Sequence, residues 1–319
     1  MSENLKPRVN FETAKTRLGD RLFFGSTSGA ALFAFAIVAL ILFFLGLRAW
    51  PALQSQGLSF IYGSTWSAAD GTYQIMPMLV GSIVVATIGL IISTPLSIAV
   101  AFFLVFVANA RVAKIGGLMI DLLAALPSIL IGFWGATVFT PVAAGWAQVL
   151  HDHFGFIPLF QNSGPSFTRS PFIAGWILAI MMAPIITSVA REVMSRVDKE
   201  LINAAHALGG TTFSTLRRVV LPTSRGGILG GILLALGRGL GETIAILYTL
   251  NLIFKVNVLR PLENRGGSVA SMIAAKFGEA DSAEIHALMA AGLVLFVMTL
   301  LVNVIATGIV QRAERKMAS

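Results

Sequence analysis

Long uncharged apolar runs alternate along the chain with short charged segments. A helix needs roughly 20 apolar residues to cross about 30 Å of hydrocarbon. The runs that meet this length are Ser28–Leu47, Met78–Ala108, Ile115–Phe139, Phe172–Val189, Gly226–Leu250 and Ile285–Val310. The pattern therefore predicts an all-α polytopic membrane protein with six transmembrane helices.

Prolines lie inside three of these runs, at Pro95, Pro127 and Pro184. Proline is tolerated within membrane helices when neighbouring groups satisfy the freed carbonyls, so we expect bends at these positions. The run Ser28–Leu47 is predicted to be a retained anchor, because no small-residue cleavage site follows it.

The composition agrees with hydrocarbon as the main solvent. Hydrophobic residues make up 56% of the chain, charged residues 12%, and the mean hydropathy is +0.82. A soluble domain carries about 25% charged residues. The net charge of +8 does not indicate nucleic-acid binding, because the basic residues form no single stripe. The sequence has no cysteine, which excludes disulfides and thiolate chemistry.

The basic residues predict the orientation. The N-terminal arm, 1–27, carries five and the gap 190–225 carries six, whereas 48–77 and 141–171 carry one each. Basic residues concentrate in cytoplasmic loops, so the arm and the tail, 312–319, are predicted to be cytoplasmic. The gap between the last two spans is then external, although it contains four basic residues: Lys255, Arg260, Arg265 and Lys276.

The cytoplasmic loop 196–222 has the pattern of two short helices. Residues 198–208 have helical spacing, with Leu201, Ala205 and Leu208 on one face. Gly209 and the glycine after it are predicted to end this helix. A second helix is predicted from Thr212, with position 222 closing the unit. Such a rigid knob at the membrane face suits insertion into a groove on a soluble partner.

The spacing within this loop resembles the coupling motif of ABC importer permeases, which reads E-A-A, three residues, G, nine residues, I-x-L-P. The matching positions are Asn203, Ala204, Ala205, Gly209, Val219, Leu221 and Pro222. This sequence departs from the motif at Asn203, where the family has glutamate, and at Val219, where it has isoleucine. The resemblance implies a loop that couples the protein to an ATPase, and an ordinary interfacial hairpin is the alternative.

The sequence contains no G-x-x-x-x-G-K-[ST] phosphate-binding loop. We therefore expect no cofactor in this chain, and we expect a separate ATP-binding subunit to use ATP and magnesium. His151 and His153 are expected to lie in a solvated external loop rather than in a metal site, because no third ligand is evident.

Two charges lie in the fifth run. Arg238 is about twelve residues, or about 18 Å, into it, near the middle of the bilayer, where a charge costs roughly 2.5–3.5 kcal/mol. Glu242 is predicted one turn later on the same face. The two side chains either neutralise each other or line a substrate path, where an arginine fork suits phosphate or carboxylate oxygens. The small-xxx-small spacings Gly227–Gly231 and Gly237–Gly241 predict a close helix or ligand.

The run 236–243, Leu-Gly-Arg-Gly-Leu-Gly-Glu-Thr, closely resembles the C-type permease subunit of phosphate importers, as do residues 123–135. The resemblance implies a type I ABC importer permease fold over 78–311, in the bacterial inner membrane, and import of inorganic phosphate. It also implies three partners: a homologous second permease subunit, a dimer of ATP-binding subunits, and a periplasmic or lipid-anchored phosphate-binding protein.

Other functions remain open at this point. The substrate of an ABC permease with these features is either phosphate or a related oxyanion, such as phosphonate or sulfate. A secondary phosphate transporter would also explain Arg238 and Glu242, but such proteins usually show two repeated halves, which the sequence lacks. A membrane-embedded enzyme would need more polar residues on facing helices.

Overall fold

The structure, a computed structural model, describes residues 18–318, and it describes the side chains in that range except at 18, 21 and 309–318. Much of the predicted arm therefore lies outside the described residues. The helices are α1 Leu18–Gln56, α2 Ser59–Tyr62, α3 Met76–Phe102, α4 Ala110–Ala125, α5 Ser128–Trp134, α6 Thr140–Phe154, α7 Pro171–Ser195, α8 Lys199–Ala207, α9 Thr212–Thr215, α10 Leu221–Leu240, α11 Ile244–Thr249, α12 Val269–Lys276 and α13 Ser282–Ala318.

Three π turns extend or join these helices. Phe103–Val107 continues α3, Gly135–Phe139 joins α5 to α6, and Leu216–Val220 joins α9 to α10. A 3₁₀ turn covers Pro158–Phe160, and a short antiparallel hairpin pairs β1, Trp66–Ser67, with β2, Thr72–Tyr73.

Six helical stretches of the described chain are long and apolar enough to cross a membrane. They are Leu22–Gln56, Met76–Val107, Ser128–Phe154, Pro171–Ser195, Thr212–Leu240 and Ser282–Gly308. The prediction of a six-helix membrane protein is confirmed. Pro95 and Pro184 lie within α3 and α7, each of which continues through its proline.

The predicted bounds of the first span, Ser28–Leu47, were too narrow. Within the described residues α1 covers Leu18–Gln56, and Gly57, at φ +57°, follows it. Polar residues do not end a helix, so the apolar run marks only its hydrocarbon part. The chain consists of two compact units, and the boundary between them lies within this helix, after Leu47. In the first unit, nearly all described side chains from position 22 onwards are exposed.

The predicted third span, Ile115–Phe139, was wrong. α4 ends at Ala125, and Leu126 and Pro127 are extended, with ψ values of 133°. A residue that precedes proline is disfavoured in the helical region, so Pro127 ends one helix and begins another instead of bending a single one. The membrane-spanning stretch is Ser128–Phe154.

The same shift moves the two histidines. His151 and His153 lie in the last turn of α6 rather than in a loop. Their Nδ1 atoms lie 3.0 Å from the carbonyl oxygens of Phe160 and Val149. The described part of the chain contains no group of three or more side chains that could ligate a metal.

The helix α7 forms the centre of the second unit, which begins at Arg48. In an apolar stretch of 18 residues within α7, 61% of the residues are buried, whereas the corresponding value for the other spans of this unit is 17–28%. Met182, near its midpoint, is fully buried, and its sulfur lies 3.3 Å from a Cβ placed on Gly89 of α3 and 3.2 Å from one placed on Gly239 of α10. The glycines thus let three helices approach closely at one level.

A buried carboxylate explains two of the basic residues in the gap that departed from the charge pattern. The side chain of Glu263 is 3% exposed and forms ion pairs with Arg260, at 3.2 Å, and with Arg265, at 3.1 Å. It also accepts a hydrogen bond of 3.1 Å from the backbone N–H of Ser163, which joins this gap to the 155–170 segment. These two arginines therefore stabilise a loop contact.

Burial opposes the charge on Glu263, but hydrogen bonds from Ser163 and Arg260 and the charge of Arg265 outweigh it and lower its pKa. A carboxyl whose pKa is lowered by folding stabilises the protein above its unfolded pKa of about 4.3. That stabilisation is lost as the pH falls through the lower folded pKa. We expect the apparent Tm in detergent to decrease when the pH is lowered below about 4. In Glu263→Gln this decrease should be smaller. The control Glu279→Gln, at an exposed position, should show the same pH-dependent decrease in Tm as the parent.

Candidate coupling loop and membrane pathway

The loop predicted to couple to an ATPase folds as two short helices, α8 and α9. Asp198 caps α8, because its side chain accepts a 2.9 Å hydrogen bond from the N–H of Glu200. At the other end, the N–H of Gly210 donates to the carbonyl of Ala205 at 2.9 Å, and Gly209 has φ +81°. The predicted helix and its glycine turn are confirmed.

The apolar face of α8 is largely open to solvent. Leu201 is 49% exposed, Leu208 90%, and Phe213 of α9 69%. Ile202 of this helix packs against a buried cluster that includes Val197 and Val220. Exposed apolar patches of this kind mark interaction sites, so the face is a candidate interaction surface.

The helices α9 and α10 are continuous, which corrects the prediction that Pro222 closes the unit. The N–H of Leu221 donates to the carbonyl of Leu216, five residues back, in a π turn. Pro222 then lies in the first turn of α10. A π turn admits an extra residue into a helix, and here it precedes a proline that lacks an N–H. The second short helix is thereby joined to the membrane helix.

The structure distributes the motif residues over α8, the π turn and the start of α10. Asn203 and Ala204 are exposed on α8, and Ala205 is half-buried against α9. Val219 lies in the π turn, and Leu221 begins α10. The groove between the two short helices is lined by Leu201, Ala204, Ala205, Leu208, Gly210, Ser214, Thr215, Arg218 and Val219.

Small residues recur every four positions along the face of α10 that packs on α7. A Cβ placed on Gly231 would lie 2.9 Å from Val189, and one on Gly227 would lie 2.4 Å from Val193. Ala235 and Gly239 continue this stripe as fully or almost fully buried residues. The predicted Gly227–Gly231 spacing is confirmed as a close helix contact.

We expect Gly231→Val to destabilise the protein, because a side chain at 231 meets Val189 and the helices must separate. The control is Gly230→Val, where a Cβ meets no atom within 4 Å. Both variants carry the same change in helix propensity. Gly231→Val should lower the apparent Tm by several degrees more than Gly230→Val does, and equal shifts would contradict this packing role.

Arg238 lies beside the middle of α7. The next residue, Gly239, contacts Leu178 and Met182, the eighth and twelfth residues of the 25-residue helix. This level agrees with the predicted mid-bilayer position. The Arg238 side chain is exposed, on the face that also carries Leu234, which is 62% exposed. Among the side chains that the structure describes, none forms an ion pair with Arg238.

Glu242 does not lie one turn beyond Arg238 on the same helix face, and that prediction was wrong. α10 ends at Leu240, and Gly241 leaves the helix with φ −92° and ψ 1°. The glycine-rich run 237–241 favours this end, because glycine is the usual residue at a helix C-terminus. Glu242 is 7% exposed, and its carboxylate accepts a 3.3 Å hydrogen bond from the N–H of Ala245.

The fifth span is therefore broken, with non-helical residues 241–243 between α10 and α11. α11 packs against α5 and α7, and Ala245 is in the same buried cluster as Ile131 and Ile177. Non-helical backbone at membrane depth occurs only inside protein or along a water-filled cavity. Broken helices also form the ion and substrate sites of several transporters. Arg238 lies two residues before this break.

Comparison with known proteins agrees with this architecture. A family model described as the inner membrane component of binding-protein-dependent transport systems matches residues 93–319. The chain belongs to this family, and it is a multi-pass inner-membrane protein.

Curated relatives give a narrower class. The chain is 38% identical over 292 residues to a protein from Xylella fastidiosa (strain 9a5c), covering 90% of this chain and 89% of the relative. It is 36% identical over 298 residues to one from Pasteurella multocida (strain Pm70), covering 92% of each. Both relatives are named phosphate transport system permease protein PstC.

Solved structures share the fold. The MetNI methionine ABC transporter matches 75% of this chain and 93% of its own, with a TM-score of 0.54 and 17% identity. A bacterial ABC transporter involved in the import of the acidic polysaccharide alginate matches over 92% of this chain and 99% of its own chain, with a TM-score of 0.54 and 16% identity. The chain has the type I ABC importer permease fold.

Proposed function

We propose that this chain is the membrane-spanning permease subunit of an ATP-driven importer that moves inorganic phosphate into the cytoplasm. The observation that carries the proposal is the likeness, over about nine tenths of the chain, to relatives named phosphate transport permeases. Arg238 supports it, because a guanidinium fork binds phosphate oxygens by paired hydrogen bonds. Its position beside a broken helix suits a substrate path.

The exposed surfaces suit the partners that such a complex needs. A homologous second permease subunit would cover the α10 face that carries Leu234 and Arg238. A dimer of ATP-binding subunits would receive Leu208 and Phe213 and would hydrolyse ATP with magnesium. A periplasmic or lipid-anchored phosphate-binding protein would deliver the anion from the other side of the membrane.

Reconstituted transport tests this function. The complex purified with its partner subunits should take up phosphate into proteoliposomes only with ATP, and an uncoupler should not stop it. Excess sulfate or phosphonate should leave this uptake unchanged. Uptake that needs a proton gradient instead of ATP would point to a secondary transporter, and competition by sulfate would replace phosphate with a wider range of oxyanions.

The proposed orientation places α8 and α9 in the cytoplasm. Since the chain has no cysteine, single cysteines are clean reporters of this orientation. We expect Val258→Cys, at a residue that is 55% exposed, to react with an impermeant maleimide on intact cells. Leu208→Cys, 90% exposed, should react only after the membrane is opened. Labelling of Leu208→Cys from outside would reverse the orientation.

A further inference from the structure

Asn303 lies on α13, and its side-chain carbonyl is a buried acceptor without a donor. Its Oδ1 atom is closed to solvent and has no hydrogen-bond partner within residues 18–318. A buried polar atom left unpaired destabilises a protein, and hydrocarbon offers no water to replace the missing donor. The amide therefore needs a partner that this arrangement of the single chain does not provide.

The side chain of Asn303 lies against Gly237, the residue that precedes Arg238. A Cβ placed on Gly237 would be 3.4 Å from Asn303 Nδ2. Neighbouring helix positions point about 100° apart, so the Arg238 side chain has to cross position 237 to reach Asn303. Because position 237 has no side chain, the way from Arg238 to Asn303 is open.

The two groups are chemically complementary. A guanidinium has five N–H donors and no acceptor, and Arg238 is exposed without an ion pair among the described side chains. We propose that Asn303 is a positioning residue for Arg238. In the assembled transporter its Oδ1 accepts one guanidinium N–H and leaves the remaining fork directed at the anion. This inference rests on the proposed function, in which Arg238 binds the transported anion.

The alternative is that Asn303 is a packing residue without a role in transport. Leucine has the same number of side-chain heavy atoms as asparagine and no polar group. Replacing an amide whose buried carbonyl is unpaired by an apolar side chain of similar shape is expected to be nearly neutral or stabilising. A packing role therefore predicts parental uptake in Asn303→Leu, whereas a positioning role predicts a loss of uptake in a well-assembled complex.

The experiment uses the complex with its partner subunits in proteoliposomes and compares parent, Asn303→Leu, Arg238→Lys and the double variant. We expect each single variant to lower phosphate uptake about tenfold or more, and Asn303→Leu to leave assembly and basal ATP hydrolysis unchanged. The double variant should be no worse than Arg238→Lys alone. Asn303→Gln, which keeps the acceptor, should recover part of the uptake.

The matched control is Thr299→Val, one turn earlier on the same helix, where the hydroxyl already donates to the carbonyl of Leu295 at 2.8 Å. It should transport at the parental rate. Parental uptake by Asn303→Leu would overturn the inference, as would losses that multiply in the double variant.

A second readout does not depend on the anion. If Asn303 and Arg238 are hydrogen-bonded, the apparent Tm shifts of Asn303→Leu and Arg238→Leu should depart from additivity by about 2 °C in their double variant. Additive shifts would overturn the inference. A parent complex that takes up no phosphate but shows this non-additivity would overturn the proposed function and leave the pairing of the two residues standing.

Discussion

Arg238→Lys is expected to lower phosphate uptake between tenfold and a hundredfold while the complex still assembles. Lysine keeps the positive charge but presents it as a point, so it loses the paired hydrogen bonds that a guanidinium makes to two phosphate oxygens. Hydrogen bonds to charged groups contribute about 1.5–3 kcal/mol, which corresponds to a loss of that size. Uptake of radiolabelled phosphate, normalised to the amount of assembled complex, measures it.

A second test asks whether Arg238 and Glu242, which the break in the fifth span separates, act only by neutralising each other. If the two charges only neutralised each other, removing both, as Arg238→Gln with Glu242→Gln, would restore transport, because no charge would be left alone in hydrocarbon. The structure shows no such pair, and the carboxylate of Glu242 accepts the N–H of Ala245 instead. We therefore expect the double variant to be assembled and inactive. Parental uptake by it would contradict a substrate-path role for Arg238.

Glu242→Gln alone tests whether the carboxylate supports the start of α11 or contributes its charge to transport. Glutamine keeps a side-chain oxygen that can accept the N–H of Ala245, so the start of α11 should survive. Glu242 is buried and Arg238 is exposed, so the two side chains have different environments in this arrangement. A smaller loss of uptake in Glu242→Gln than in Arg238→Lys would agree with a structural role for the carboxylate.

The six spans could be predicted from the sequence because their signal is local: about 20 apolar residues in a row leave few alternatives. Their bounds were harder to predict. Pro95 and Pro184 lie within continuous helices, whereas Pro127 separates two. Proline alone does not distinguish these outcomes, because they depend on which neighbours satisfy the freed carbonyls.

The glycines near Leu240 indicate the end of α10, but the high hydropathy of the surrounding residues obscures this indication. Residues 226–250 are apolar throughout apart from a few positions, so they read as one span. The three glycines between 237 and 241 indicate a helix end, and they were interpreted as packing positions. Gly239 packs in this way, against Met182, whereas Gly241 ends the helix.

Contacts between distant parts of the chain left no readable pattern. Ser163 and Glu263 are 100 positions apart, and the backbone N–H of Ser163 donates a hydrogen bond to the Glu263 carboxylate. Asn303 and Gly237 lie on separate membrane helices. The sequence did carry one indirect sign of the first contact, since basic residues in an external gap depart from the usual distribution and called for another explanation.

The coupling loop was predicted well because its determinants are close together. An aspartate at position 198, an amphipathic stretch and a glycine at 209 all fall within twelve residues. N-capping and the glycine turn depend on neighbours two to five residues away. What the loop contacts outside the chain leaves no such local trace, and its coupling role therefore needs a functional test.

Gly209→Val is the sharpest test of that role. Gly209 has φ +81° and a Cβ there would meet no atom within 4 Å, so the substitution acts on the backbone alone. A residue with a Cβ costs about 1–2 kcal/mol in the left-handed region, and more when it is β-branched. We expect the turn between α8 and α9 to reorganise and phosphate uptake to fall tenfold or more, while ATP hydrolysis continues without transport.

Two variants control for this strain. Gly71 also has positive φ, at +60°, and also has open space around its Cβ position, but it lies in the hairpin far along the chain from the loop. Gly71→Val carries the same kind of strain and should keep parental uptake. Gly209→Asn should retain much of the activity, because asparagine tolerates the left-handed conformation. Parental uptake by a membrane-inserted Gly209→Val would count against the coupling role, and equal losses at 71 and 209 would assign the effect to general instability.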